Sequence, residues 1–92
     1  MTLRDIIINI SDIDGTLTIY MLDLFNPESD VVLIEQDQAD NNLKIVNGQE
    51  YHYLLEVFLA KEIIEDFVVT QGREPSTEEA LKWVYDYGIK DG

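Results

Sequence analysis

The chain contains no cysteine, and it has few positively charged residues. The lack of cysteine excludes disulfide bonds, thiolate metal sites and cysteine nucleophiles. Six Lys and Arg residues stand against 19 Asp and Glu residues, which gives a formal net charge of −13. Such a chain repels phosphate groups, so we expect no direct binding to nucleic acid and none to anionic membrane surfaces.

Long apolar segments are also missing. No apolar run approaches the roughly 20 residues that span a bilayer, and the N-terminus lacks the basic and apolar regions of a signal peptide. We therefore expect a cytoplasmic protein. The chain has 92 residues, of which 46% are hydrophobic. This length and apolar content predict a single folded domain over residues 1–92 rather than a disordered segment.

The apolar pattern along the chain predicts an α+β fold. Thr2 is placed to cap a short N-terminal helix, whose apolar stripe has helical spacing: Leu3, Ile6, Ile7 and Ile10. Apolar runs predict strands over residues 16–21, 31–34, 43–46 and 50–56, and helical spacing returns over residues 58–71 and 76–88. The expected architecture is a meandering antiparallel sheet of three to four strands, with two C-terminal helices packed on one face.

Two parts of the predicted sheet need particular attention. Asn47-Gly48 is a strong hairpin signal, because both residues accept positive φ. Residues 49–57 then form either a returning strand or the start of one long helix over residues 49–70. The continuous apolar run at residues 31–34 is a candidate central strand, whereas residues 16–21 alternate as a half-buried strand does.

The ends of the C-terminal helices also have sequence signals. Gly72 is placed to end the first of them in a left-handed conformation. Ser76 and Glu79 have the spacing of a capping box at the start of the second. We expect Gly88 to end this last helix.

The segment Ser11-Asp12-Ile13-Asp14-Gly15-Thr16 resembles the nucleophile motif of haloacid-dehalogenase-type phosphatases. In that family a strand delivers two aspartates to a magnesium ion, and here they would be Asp12 as nucleophile and Asp14 as general acid. Phosphoryl transfer needs further acids and a cation around the phosphate. Lys61 or Lys82 and the pair Glu65-Asp66 could supply them, but none of these follows a predicted parallel strand. Asp and Gly are also common in turns. We therefore expect an accidental match, preceded by a helix over residues 3–10.

Other candidate chemistry is sparse. His52 lies between two tyrosines in a predicted strand, with no serine or cysteine partner nearby, so we expect a structural or surface histidine. The acidic residues 37–42 lack the spacing of a calcium-binding loop. The sequence therefore predicts no catalytic residue, no cofactor and no dedicated metal site.

Short motifs in the second half of the chain carry another resemblance: Tyr53-Leu54-Leu55, Ile63-Ile64-Glu65, Thr77-Glu78-Glu79-Ala80-Leu81 and Tyr85-Asp86-Tyr87. From about residue 51 to residue 91 the chain resembles a small uncharacterised family of acidic bacterial α+β proteins. That family has no known catalytic set, so the resemblance implies no functional residues.

Charge and composition favour a non-enzymatic, acidic protein-interaction domain, of a toxin-immunity or regulatory type, with a basic protein partner. The residues expected to contact that partner are Glu35, Asp37, Asp40, Glu62, Glu65, Asp66 and Tyr87. Trp83 and Tyr85 are expected to pack in the core. The alternatives are a nucleic-acid mimic, which needs carboxylates at phosphate-like spacing along one face, and the magnesium phosphatase. Oligomeric state stays open.

Overall fold

The computed structural model describes residues 1–35 and 43–91, apart from the side chain of residue 91. Within these ranges the elements are α1 (Leu3–Ile8), β1 (Leu17–Met21), β2 (Val31–Glu35), β3 (Leu43–Val46), β4 (Gln49–Glu56), α2 (Val57–Gln71) and α3 (Thr77–Asp91). A short 3₁₀ turn over Ile10–Asp12 follows α1. The predicted α+β class is confirmed, with its short N-terminal helix and two C-terminal helices.

The four strands pair in the antiparallel order β2-β1-β4-β3. β1 pairs with β2 on one side of the sheet, and β3 pairs with β4 on the other. The pairing of β1 with β4 joins these two pairs in the middle. The predicted antiparallel sheet is confirmed, but its order departs from a meander because β2 and β3 lie at opposite edges. This order also corrects the expectation of a central strand at residues 31–34, because β2 lies at an edge. A continuous apolar run indicates burial but does not fix the position of a strand in its sheet.

The hairpin between β3 and β4 is confirmed. Asn47 and Gly48 form its turn with φ angles of 52° and 77°, which is the left-handed region that this turn type requires. The next residues form β4, which pairs with β3 on one side and with β1 on the other. The strand interpretation of residues 49–56 is therefore correct, and α2 begins only at Val57.

The main core lies between the helices and one face of the sheet. α1 packs against α3, while α2 and α3 both contact β4 and α2 also contacts β1. The buried apolar side chains of this core come from all three helices and from β1, β2 and β4: Leu3, Ile6, Ile7, Ile19, Met21, Val31, Leu54, Leu55, Val57, Ala60, Ala80, Leu81 and Val84. None of the helices in the described ranges has both the length and the apolar character needed to cross a bilayer.

The central strand pair contains a β-bulge. Ile19 faces Leu55 and Tyr20 faces Tyr53, so Leu54 is an extra residue on β4. Both leucines are buried. An uninterrupted strand would place Tyr53 and Leu55 on the same face, but the bulge shifts the alternation of faces by one residue.

β1 is covered on both of its faces, which corrects the prediction of a half-buried strand. Thr18 and Tyr20 point away from Ile19 and are nevertheless fully buried. The Tyr20 ring packs edge-on against the Tyr53 ring at a centroid distance of 6.1 Å. Lys44 Nζ lies 5.9 Å from the Tyr20 centroid. A strand with two covered faces loses the simple alternation of apolar and polar residues.

The predicted helix caps are present. Thr2 and Asp5 form a capping box at the start of α1. Gly72 ends α2 with φ 70°, and its N–H donates to the Val68 carbonyl. At the start of α3, the Ser76 N–H donates to the Glu79 carboxylate and Ser76 Oγ accepts from the Glu79 N–H.

Gly88 does not end the last helix, contrary to the prediction. α3 continues through it to Asp91. A Cβ at position 88 would lie 2.7 Å from Leu54 Cδ1 and 2.8 Å from Leu54 Cγ. Gly88 therefore serves close helix–strand packing rather than a left-handed cap, and it brings α3 directly against β4.

Candidate functional site

The three acids predicted on the first C-terminal helix form a row on α2, which we call the acidic row. Glu62, Glu65 and Asp66 are three and four residues apart, so they lie on the same side of the helix. All three are exposed, and no salt bridge joins them to another residue in the described ranges. Like charges at this spacing repel each other. The row therefore presents negative charge that no salt bridge with a described residue neutralises.

The other predicted contact residues do not join this row in one site. Glu35 is exposed at the end of edge strand β2. Asp37 and Asp40 lie outside the described residues. Tyr87 is 39% exposed on α3. The structure thus brings together the helical acids of the predicted set, and it places Glu35 and Tyr87 on other elements.

Most salt bridges in the described ranges instead involve acids of α3 and of the loop between β1 and β2. They join Arg4 to Glu28 and Glu78, Arg73 to Glu79, Lys82 to Asp86, and the N-terminal amine to Asp30. The Arg73 guanidinium lowers the pKa of Glu79 from 4.5 to about 2, with a smaller contribution from the Ser76 N–H. Three of the few side-chain cations, Arg4, Arg73 and Lys82, are thus paired with acids that do not belong to α2.

The phosphatase-like motif does not have the local structure of its family. A helix, α1, precedes it, and Asp12 lies in the 3₁₀ turn. The Asp14 carboxylate accepts hydrogen bonds from the Thr16 N–H at 2.9 Å and the Thr16 hydroxyl at 3.0 Å. The Thr16 N–H lowers the pKa of Asp14. No group of three or more His, Cys, Asp or Glu residues that could hold a metal ion occurs among the described residues.

A different feature stands out on the loop between β1 and β2. Phe25 lies at its tip and is 93% exposed. The Phe25 N–H donates to the Asp23 carboxylate at 2.9 Å, and the Asp23 N–H donates to Ser29 Oγ at 2.8 Å. The Glu28 N–H donates to the Asn26 side chain at 3.0 Å. These bonds fix the backbone of the loop from which the exposed ring projects.

A further hydrogen bond attaches this loop to α3. The Tyr85 hydroxyl donates to the Leu24 carbonyl. Burial raises the pKa of Tyr85, so its hydroxyl stays protonated, as a donor, at neutral pH. The expectation that Tyr85 packs towards the core agrees with its position, since its ring is half-buried against the core cluster. Phe25 is therefore positioned by α3 as well as by its own loop.

Two concavities flank the loop. The first, of 210 Å³, is lined by Leu24, Phe25, Tyr53, Gly88 and Ile89. The second, of 440 Å³, is lined by Pro27, Glu28, Glu78, Leu81, Lys82, Tyr85 and Asp86. We call the area formed by Phe25, Pro27, Tyr85 and Ile89 the Phe25 surface. It combines a projecting ring with a hollow on either side.

The opposite flank of α3 carries two further aromatic residues. Trp83 packs edge-on against Phe67, with ring centroids 4.9 Å apart, yet it remains 43% exposed. Trp83 was expected to pack in the core. It does contact the buried Phe67 ring, but it is not itself a buried residue. Trp83 and Tyr87 line a separate hollow of 280 Å³, and the charged pair Lys82–Asp86 lies between it and the Phe25 surface.

Sequence reasoning missed the Phe25 surface. The signal was present in the turn-forming residues around it, since Asp23, Asn26-Pro27 and Ser29 enclose Leu24 and Phe25. Such residues fix loops through local side-chain hydrogen bonds. An apolar pair inside a loop of this kind is a candidate for exposure rather than for the core. Comparisons of the chain with protein-family models, with curated proteins and with solved structures gave no match.

Proposed function

We propose that this protein is a non-enzymatic, acidic protein-interaction domain that binds a basic protein partner. The observation that carries the proposal is the acidic row on α2, where Glu62, Glu65 and Asp66 are exposed and unpaired within the described residues. Together with a net charge of −13, such a row attracts a positively charged surface and accelerates its association.

The two alternatives have less support. A nucleic-acid mimic requires carboxylates in rows along one face, whereas the exposed acids lie on α2, on α3, in the β1–β2 loop and in the hairpins. The phosphatase requires a strand before Asp12, and α1 occupies that position. We therefore propose neither of them.

The acidic row is tested with a lysine-rich peptide of about 15 residues that contains no apolar side chain. Its affinity is measured by fluorescence anisotropy at several salt concentrations. Glu62→Gln, Glu65→Gln and Asp66→Asn are combined in one variant. We expect this variant to bind the peptide several-fold more weakly and with a smaller salt dependence, because contacts between opposite charges are lost.

A matched control removes the same number of charges elsewhere. It combines Asp12→Asn, Glu50→Gln and Glu74→Gln, three exposed acids on separate elements that form no salt bridge with described residues. Equal loss of affinity in both variants would show that only the net charge matters and would contradict a site on α2. No binding by the unmodified protein at low salt would contradict the proposed function itself.

A further inference from the structure

We propose that the Phe25 surface is the docking site for apolar side chains of a basic, amphipathic segment of another protein. This inference rests on the proposed function, because it concerns the same basic partner. It adds a second contact, which is apolar and lies on the β1–β2 loop and α3 rather than on α2. The partner therefore needs both positive charge and exposed apolar side chains.

The geometry of Phe25 is that of a binding anchor. Large aromatic residues that become buried in a complex supply much of the energy of protein interfaces. Phe25 is 93% exposed, and bonds to Asp23 and from Tyr85 fix its loop. Because the backbone of the loop is already ordered, little backbone entropy remains to be lost when the ring is buried in a complex.

The hollows beside Phe25 provide the complementary half of the contact. A residue entering the smaller hollow would lie between the Phe25 and Ile89 side chains. A residue entering the larger one would lie over Pro27 and Tyr85. Side chains of the size of leucine, or the methylene stems of lysine and arginine, fit such sites.

The charges around this surface favour a basic occupant. Four carboxylates border it, those of Asp23, Glu28, Glu78 and Asp86. Glu28 and Glu78 share the single charge of Arg4 and Asp86 pairs with Lys82, so four negative charges face two positive ones. The border therefore carries an excess of negative charge. Lysine or arginine residues that flank an apolar anchor would lie opposite these acids.

The same argument disfavours a second copy of this chain as the occupant. Each copy has a net charge of −13, and each copy would bring the same acidic border to a symmetric contact. Like charges facing each other across an interface weaken it. A basic segment of another protein has no such penalty.

Two helical peptides of equal charge test this inference. One contains lysine and leucine, with the leucines on one helical face, and the other has glutamine at every leucine position. Phe25→Ser is compared with Ile45→Ser, which removes another exposed apolar side chain, 62% exposed on edge strand β3 rather than on the helix that carries the acidic row. We expect Phe25→Ser to weaken binding of the lysine–leucine peptide about tenfold and to leave binding of the lysine–glutamine peptide unchanged. Ile45→Ser should change neither affinity.

A tryptophan reporter locates the contact directly. In a protein carrying Phe25→Trp and Trp83→Phe, the single tryptophan lies at the loop tip. Its emission should move to shorter wavelength when the lysine–leucine peptide binds and should stay constant with the lysine–glutamine peptide. Thermal unfolding of Phe25→Ser should match that of the unmodified protein, because an exposed ring contributes little to stability.

The outcomes separate this inference from the proposed function. If Phe25→Ser binds both peptides normally while loss of the acidic row weakens both, the inference is wrong and the proposed function stands. If neither peptide binds the unmodified protein at low salt, the proposed function is wrong, and the inference that rests on it is wrong as well. Phe25-dependent self-association in sedimentation experiments at about 1 M salt, where charges are screened, would identify a second copy as the occupant and overturn the inference.

Discussion

Replacing Gly88 with alanine should destabilise the protein, although the same change stabilises most helices. In an exposed helix interior, alanine is favoured over glycine by about 1 kcal/mol. Here the new Cβ would lie 2.7 Å from Leu54 Cδ1 and 3.2 Å from the Leu54 carbonyl oxygen. Leu54 is only 1% exposed, so it has little room to move. Overpacking of this kind costs roughly 1–3 kcal/mol.

The two effects oppose each other, and the overpacking is the larger. We expect a net loss of about 1 kcal/mol for Gly88→Ala, which lowers the unfolding temperature by about 4–8 °C in a domain of this size. Urea unfolding monitored by circular dichroism measures the free energy. Stabilisation by Gly88→Ala would refute the reasoning, because it would mean that α3 does not contact Leu54 closely.

A double-mutant cycle identifies the cause of the loss. Leu54→Ala removes the Cγ and Cδ atoms that the alanine at position 88 would meet and should itself cost about 2–5 kcal/mol. In that background the helix preference for alanine should dominate, so Gly88→Ala should become neutral or stabilising. The coupling between the two changes should be about 1–2 kcal/mol. Additive effects would indicate that the loss at position 88 arises elsewhere.

Three further changes test other parts of the fold. Tyr85→Phe removes the donor to the Leu24 carbonyl, which should cost about 1 kcal/mol and should accelerate hydrogen exchange in the β1–β2 loop; unchanged exchange would contradict this anchoring. Arg73 lowers the pKa of Glu79 from 4.5 to about 2. Between these two pH values the unfolded chain binds a proton at Glu79 that the folded chain does not, so the free energy of unfolding decreases as the pH falls. Glu79→Gln should therefore unfold at lower temperature than the unmodified protein at pH 7, and the difference should close near pH 2. Gly48→Ala should cost roughly 1–2 kcal/mol in chemical unfolding, because Gly48 has φ 77° although a Cβ there meets no atom within 4 Å.

The features that sequence predicted correctly are local ones. The capping boxes at Thr2 and Ser76 and the left-handed cap at Gly72 depend on residues within one helical turn. The Asn47-Gly48 turn likewise depends on its own φ angles. In each case the residue types alone define the preferred backbone conformation. The acidic row could be predicted for the same reason, since its spacing follows from the helix.

The features that sequence missed depend on contacts between distant residues. The bulge at Leu54 exists because β4 must match β1, a strand more than 30 residues away. Gly88 was interpreted as a helix end because its contact with Leu54 has no trace in the neighbouring residues. The position of Phe25 is set partly by the hydrogen bond that the neighbouring Leu24 carbonyl accepts from Tyr85, 61 residues after Leu24 in the chain. Apolar pattern alone assigns such a phenylalanine to the core.

The two proposed contacts contribute to one complex in different ways, one to the rate of association and the other to the rate of dissociation. Negative charge on Glu62, Glu65 and Asp66 acts over a Debye length of about 10 Å at 0.1 M salt, so it chiefly raises the association rate. This charge contributes little to shape complementarity with a partner. Phe25 acts only on direct contact, so it affects chiefly the dissociation rate and the choice of partner. Because the acidic excess also opposes self-association, this domain can hold an apolar ring at 93% exposure with less risk of pairing with its own copies.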